Sequence, residues 1–230
     1  MKKNLITLFL IAFGFLSNAQ KTNVLATAKI FSVKDMYGLK DKNGKIIVAA
    51  IYGDMQLKSN YALAIKGTNI SNITTTLFDS TGKAVAQYSN ISVMDCGVAK
   101  ITKSKSIDEG VDGLIDLTGK ILVPLGKYDN IKDCSEGLIQ VEKNKKYGLI
   151  DLTGKVIVEP FYTLIRNPSD GMILVVDGIL YGYLNMKGEV AINPQYPKAY
   201  DFSNGTAKVC YDINCTDSYT IDKTGKKVSR

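Results

Sequence analysis

Apolar and polar positions alternate with a period of two in short runs along this chain, and the runs return at a nearly fixed spacing. One run is Leu138-Ile139-Gln140-Val141-Glu142, rich in strand-forming residues, and it predicts a β-strand. The polar stretch Lys143-Asn144-Lys145-Lys146 predicts a reversal, Tyr147 to Asp151 a second strand, and Val156-Ile157-Val158 a third. Between the second and third lies Asp151-Leu152-Thr153-Gly154. An Asp carboxylate accepts from backbone N–H groups ahead of it and Gly adopts positive φ without a Cβ penalty, so a tight turn is predicted there. Glu159-Pro160 closes the third strand, because proline has no N–H to give to a ladder.

The same order recurs in YGLKDKNGK (37–45), TLFDSTGK (76–83), DGLIDLTGK (112–120), YGYLNMKGE (181–189) and YTIDKTGKK (219–227). The turn glycines are Gly44, Gly82, Gly119, Gly154, Gly188 and Gly225, spaced 38, 37, 35, 34 and 37 residues apart. A period in this range marks a repeat architecture. Units start near Ala26, Asn60, Gly97, Gly137, Gly171 and Gly205. The residues two and four past each start are Ala28/Ile30, Ala62/Ala64, Ala99/Ile101, Ile139/Val141, Ile173/Val175 and Ala207/Val209. All are apolar and are expected on the buried face. Short connections make each unit an antiparallel meander, which buries its apolar face only by packing on a neighbour. The chain reads as all-β: six three-stranded antiparallel repeat units over 24–230, in an open twisted array or a propeller-like ring. No strand is left over to complete the first unit, which favours the open array.

These residues resemble the WG-repeat family of bacterial proteins. Tyr147-Gly148, Asp151, Gly154-Lys155, Pro160 and Tyr162 follow its pattern in one unit, and Tyr181-Gly182, Gly188, Pro194 and Tyr196 in another, before Phe202-Ser203-Asn204-Gly205. Every tryptophan of the pattern is replaced, usually by tyrosine, and the second unit lacks the glycine before Leu77. The resemblance implies an all-β repeat protein and no shared reaction.

The first residues change the picture of where the protein works. Lys2 and Lys3 precede the apolar run Leu5 to Leu16, and Ser17-Asn18-Ala19 offers small residues at the cleavage positions. Residues 1–19 therefore read as a signal peptide removed before Gln20, leaving 20–230 as a single domain. The run is too short to span a membrane, so no span is expected in the mature chain and the protein is expected to be exported, periplasmic or secreted. Loss of two lysines takes the net charge from +7 to +5. The charges are mixed along the chain, which argues against a nucleic-acid partner. In an oxidising compartment the four cysteines can pair. A reversal over Tyr211-Asp212-Ile213-Asn214 brings Cys210 and Cys215 onto neighbouring strands, so a disulfide is expected there, while the state of Cys96 and Cys134 stays open.

Candidate chemistry is sparse. With no His, the Ser-His-Asp, Cys-His and His-bearing zinc arrangements are excluded. The Asp-x-x-Gly turns carry one acid each, followed by lysine, which does not suit calcium. No metal, cofactor or enzyme activity is expected; the acidic cluster Asp108, Glu109 and Asp112 leaves a carboxylate-based hydrolase as the poorest alternative. Lys45, Lys83, Lys120, Lys155 and Lys226 form a candidate binding rim for an anionic polymer if units stack in register. Tyr52, Tyr88, Tyr128, Tyr162 and Tyr196 form a candidate aromatic column, to grip sugars or peptides or to pack between sheets. The expected function is a binding or scaffolding module for an envelope or extracellular macromolecule, its partner a protein or glycan of the cell envelope. The alternative is a structural envelope subunit working through sheet-edge contacts.

Overall fold

The computed structural model describes residues 22–67, 72–104 and 110–228. The expected signal peptide lies outside them, as do Asp108 and Glu109. Six antiparallel sheets follow one another along the chain. The first holds β1 (Lys29–Val33), β2 (Met36–Lys40) and β3 (Ile46–Tyr52), and the second β4 (Asp54–Leu57), β5 (Ala62–Lys66), β6 (Thr74–Phe78) and β7 (Ala84–Tyr88). The third holds β8 (Asn90–Val93), β9 (Val98–Ser104), β10 (Gly110–Asp116) and β11 (Ile121–Val123), and the fourth β12 (Asn130–Ser135), β13 (Leu138–Lys143), β14 (Lys146–Asp151) and β15 (Val156–Tyr162). The fifth holds β16 (Leu164–Ile165), β17 (Met172–Asp177), β18 (Leu180–Asn185) and β19 (Val190–Tyr196), and the sixth β20 (Lys198–Ala199), β21 (Thr206–Cys210) and β22 (Ser218–Asp222).

The second to fifth sheets therefore carry one strand more than the alternation predicts, the first has the expected three, and the sixth has a linker strand and two of its own, its expected third strand being absent among the described residues. The linker that ends each unit turns back and lies beside the first strand of the next, as β4, β8, β12, β16 and β20. Five hydrophobic clusters occupy the five successive interfaces, and the array is open. Side chains at the Ile139/Val141 position of each sheet pack on the sheet before, and those at the Leu138/Leu149 position on the sheet after. Ten of the twelve expected core positions are fully buried. The first unit differs: Ile30 is 40% exposed and Ala28 half-buried. Ile30 pairs with Leu39 as Gln140 pairs with Leu149, so the register of this unit begins one residue later than expected.

The glycine after each aromatic exists for the third strand. From Tyr147↔Tyr162 to Leu149↔Val158, two steps on β14 match four on β15, a bulge at Glu159-Pro160 that presses its backbone onto Gly148. A Cβ on Gly148 would stand 2.5 Å from the Val158 carbonyl oxygen, and one on Gly182 2.6 Å from the Pro194 nitrogen. Where glycine is absent, so is the bulge. From Thr75↔Tyr88 to Leu77↔Ala86 the second sheet runs without a shift, and Thr76 fits. In the sixth sheet Tyr219 takes the glycine's place, and beside β22 the described chain adds only the Ile221↔Lys227 bridge and the Val228 N–H on the Thr220 carbonyl.

The two outer faces of the array carry lysines. Lys29, Lys40 and Ile46, which share one face of the first sheet, stand where the fourth has Ile139, Ile150 and Val156. The Lys40 Nζ lies 5.9 Å from the Phe31 ring on the same side. At the other end Lys208 and Thr220 replace the buried pair Leu174 and Tyr183 of the fifth sheet. Lys198 and Lys208 stand 5.8 and 5.7 Å from the Tyr200 ring.

Candidate functional site

The tight turns repeat almost atom for atom. Asp151 Oδ1 accepts the Thr153 N–H at 2.8 Å, the Lys155 N–H at 3.0 Å and the Thr153 hydroxyl at 2.7 Å. Asp41, Asp79, Asp116 and Asp222 accept the same two backbone N–H groups, and Asn185 does so with its amide oxygen. For Asp222 the Thr224 hydroxyl lowers the carboxyl pKa most, with the backbone N–H groups and Lys226 adding. At Asp116 and Asp151 burial works in the opposite direction, yet the Thr hydroxyl, the N–H groups and the adjacent lysine leave both carboxyls below their ordinary value.

The turns of the second to fifth units also press on the sheet before them. A Cβ on Gly154 would collide with the Leu122 carbonyl, one on Gly119 would lie 2.5 Å from the Val85 oxygen, and one on Gly188 2.7 Å from the Ile157 oxygen. Gly44, in the first unit, has open space around it. The lysines of the candidate rim (Lys45, Lys83, Lys120, Lys155 and Lys226) follow these glycines and are exposed. Their row is broken in the fifth unit, where Glu189 takes the position and accepts from the Asn185 amide at 2.8 Å.

The tyrosine column is packed inside the interfaces. Tyr52, Tyr88, Tyr128, Tyr162 and Tyr196 sit one in each of the five clusters, the last three buried. Both cysteine pairs are bonded. Cys210 and Cys215 have Cα atoms 5.0 Å apart and close the hairpin between β21 and β22. Cys96 and Cys134, 6.5 Å apart at Cα, join the third sheet to the fourth. In the hairpin, the Thr216 hydroxyl first, then backbone N–H groups, hold the Asp212 carboxyl down to about 2 against the opposing effect of burial. Asp112, of the acidic cluster, accepts from the Thr102 hydroxyl at 2.7 Å.

A cleft opens at one of the interfaces. Between the second and third sheets lies a cleft of about 290 Å³. This interface also has the fewest fully buried cluster residues, five against eleven between the fifth and sixth sheets. The cause is local. By pairing, Thr75 holds the place of Tyr147 and Tyr181, whose rings pack into the fourth–fifth and fifth–sixth interfaces. Leu63 holds the place of Gln140, whose amide donates to the Ile165 carbonyl of the next linker strand at 2.9 Å, as Lys100 donates to Ile131 at 3.3 Å. The second sheet thus has neither the ring of the fourth and fifth sheets nor the donor of the third and fourth; the third sheet keeps only the donor, with Asp112 in the ring's place, and the fifth only the ring, with Leu174 in the donor's place.

The cleft is walled by Asp54, Gln56, Leu63, Ile65 and Thr75 of the second sheet, with Tyr61 at one end and the strand Asn90–Val93 opposite. Asp54 Oδ1 accepts the N–H of Met55 at 2.8 Å. Burial first, then the charge of Asp95, raises the Tyr61 pKa, so this hydroxyl remains a donor at neutral pH. Sequence reasoning passed over all of these residues; the missing aromatic-glycine pair before Leu77 was the signal that pointed to them.

The sequence pattern of the WG-containing repeat matches residues 37–67, 113–147, 147–178 and 181–212, more than half of the chain. The chain belongs to the WG-containing repeat family. No curated protein matches it. Among solved structures it is similar to a eukaryotic initiation factor (9% identity, TM-score 0.47, over 88% of this chain and 62% of the other). It is also similar to Hsv2 of Kluyveromyces lactis (10%, 0.36, 86% and 71%) and to an uncharacterized protein of Listeria monocytogenes EGD-e (15%, 0.33, 90% and 81%). The chain spans less than two thirds of the initiation factor. Within the WG-containing repeat pattern, Thr75 and the strand at Asn90 fall in the stretch between the first two matches.

Proposed function

We propose that this WG-containing repeat protein is an exported binding module that presents the cleft between its second and third sheets to a glycan or protein of the cell envelope. The carrying observation is a polar-walled hollow between the second and third sheets, at the place where the fourth and fifth sheets pack the rings of Tyr147 and Tyr181. A local rule broken without a gain in packing marks a position kept for function. Export is supported by the charged and apolar N-terminal residues and by the two bonded cysteine pairs. The reading assigns no catalytic step, cofactor or metal. The mature chain, used as bait in an envelope extract, is expected to retain one component that Thr75→Tyr, which refills the cleft, releases. Equal retention by both proteins rejects the cleft as the binding surface. Mass spectrometry of exported protein is expected to find Gln20 as the first residue, and Met1 retained would overturn the export step.

A structural subunit joined through sheet edges has one observation in its favour: among the described residues β1 has no linker strand on its outer side. Sedimentation showing a stable complex of fixed size, unaffected by Thr75→Tyr, would select that reading.

A further inference from the structure

We infer that the cleft between the second and third sheets is a binding site for one ring of a neutral saccharide. This inference rests on the proposed binding role of the same cleft and names its ligand class.

The charges in the wall select against other classes. Among the described residues that line the site, Asp54 is the one carboxylate and none is lysine or arginine. A phosphate, sulfate or uronate would face an acid without a compensating cation. An ammonium ion would meet a single carboxylate, one oxygen of which already accepts the Met55 N–H.

What remains matches a polyhydroxylated ring. The amide of Gln56 offers a donor and an acceptor side by side, the arrangement that neighbouring hydroxyls require, and the hydroxyls of Tyr61 and Thr75 act in either sense; Asn90 and Ser92 lie on the far face of their strand, whose Ile91 and Val93 face the cleft. Leu63, Ile65 and Ile91 supply an apolar wall for the C–H face of the ring. The volume, about 290 Å³, is at the low end for ligand sites and suits a single ring better than a peptide strand. The geometry also explains why the site stands at this interface: at the fourth and fifth sheets Tyr147 and Tyr181 fill the equivalent space with a ring of the protein's own. A sugar ring would take the position that the fourth and fifth sheets give to an aromatic side chain.

The test is saturation-transfer NMR on the mature chain with glucose, galactose, mannose, N-acetylglucosamine and their β-linked disaccharides as probes. At least one is expected to bind saturably. Thr75→Tyr is expected to abolish that binding, and Gln56→Ala to weaken it about tenfold, the value of one lost hydrogen bond. Both variants are first shown by thermal unfolding to be folded. If Thr75→Tyr does not fold, Thr75→Val and Gln56→Ala serve together, since neither enlarges the core. Binding that survives the substitutions overturns the site. Failure of every saccharide, with an envelope component still retained by the wild type and released by Thr75→Tyr, overturns the ligand class while the binding role of the cleft stands. Failure in which that component is retained by both proteins overturns the two together.

Discussion

Two turn glycines with the same backbone and different surroundings separate the cost of a left-handed residue from the cost of disturbing an interface. Gly44 and Gly154 have φ of +85° and +84°. Replacing either with alanine places a Cβ in the left-handed region, at about 1 kcal/mol near the low end for such strain. At Gly44 the new atom meets nothing. At Gly154 it collides with the carbonyl of Leu122, backbone of the preceding sheet that no rotamer change can move aside. Overpacking against a rigid neighbour adds about 1–3 kcal/mol. Gly44→Ala is therefore expected to cost about 1 kcal/mol and Gly154→Ala about 2–4 kcal/mol. At about 2–4 °C per kcal/mol for a chain of this size, the Tm falls by about 2–4 °C in the first case and by at least about twice that in the second. Thermal unfolding followed by far-ultraviolet circular dichroism on both purified proteins, at one pH and protein concentration, measures the difference. Equal losses would show that the turns do not press on the sheets before them.

The disulfides should differ in weight. By loop-closure entropy, the Cys96–Cys134 bond, spanning 38 residues, is worth about 4 kcal/mol and the Cys210–Cys215 bond, spanning 5, about 2 kcal/mol. Paired Cys→Ala variants compared by urea unfolding check the order, and a larger loss from the short loop contradicts it. Acid should unfold the protein through its turns. Asp116, Asp151 and Asp222 have carboxyls lowered in the fold. Their contribution is present in full above the unfolded carboxylate value near 4 and is lost as pH falls through the lower folded values. The Tm is expected to hold from pH 7 to about 5 and to drop below pH 4. Asp222→Asn, which keeps the acceptor as Asn185 does, should flatten that drop; a variant as acid-sensitive as the wild type would show that these turns do not carry the effect.

The strands of each unit, the tight turns and the open arrangement are legible because each is dictated by residues close in sequence. Tyr147 to Asp151 and the turn at Gly154 need only local alternation and one residue tolerant of positive φ. The linker strands escape such a reading. β16 and β20 are two residues long and β12 is interrupted by a register shift, so no periodicity marks them, and they become strands only because the next sheet offers an edge. The first unit is misplaced by one residue because Ala28 and Ile30 look apolar, whereas Lys29 and Phe31 occupy the equivalent positions on an end that packs against nothing before it. The Cys96–Cys134 bond depends on two sheets meeting, which spacing does not reveal. The cleft is half legible: the absence of an aromatic at Thr75 is plain in the sequence, but its consequence requires knowing that this ring fills the gap between sheets.

The lysine-bearing ends bear on how such a chain changes its length by descent. Every interior unit has one surface that receives the unit before and another that is received by the unit after, so interior units are interchangeable in kind. Duplication or deletion of one of them by recombination rejoins two matching surfaces and leaves Lys29 and Lys40 at one end and Lys208 at the other. Loss of either end unit instead lays bare an aliphatic surface made to receive another sheet, and copies would add to one another head to tail into filaments. Removal of the first or the sixth unit from this chain is therefore expected to promote head-to-tail association, and removal of an interior unit is not.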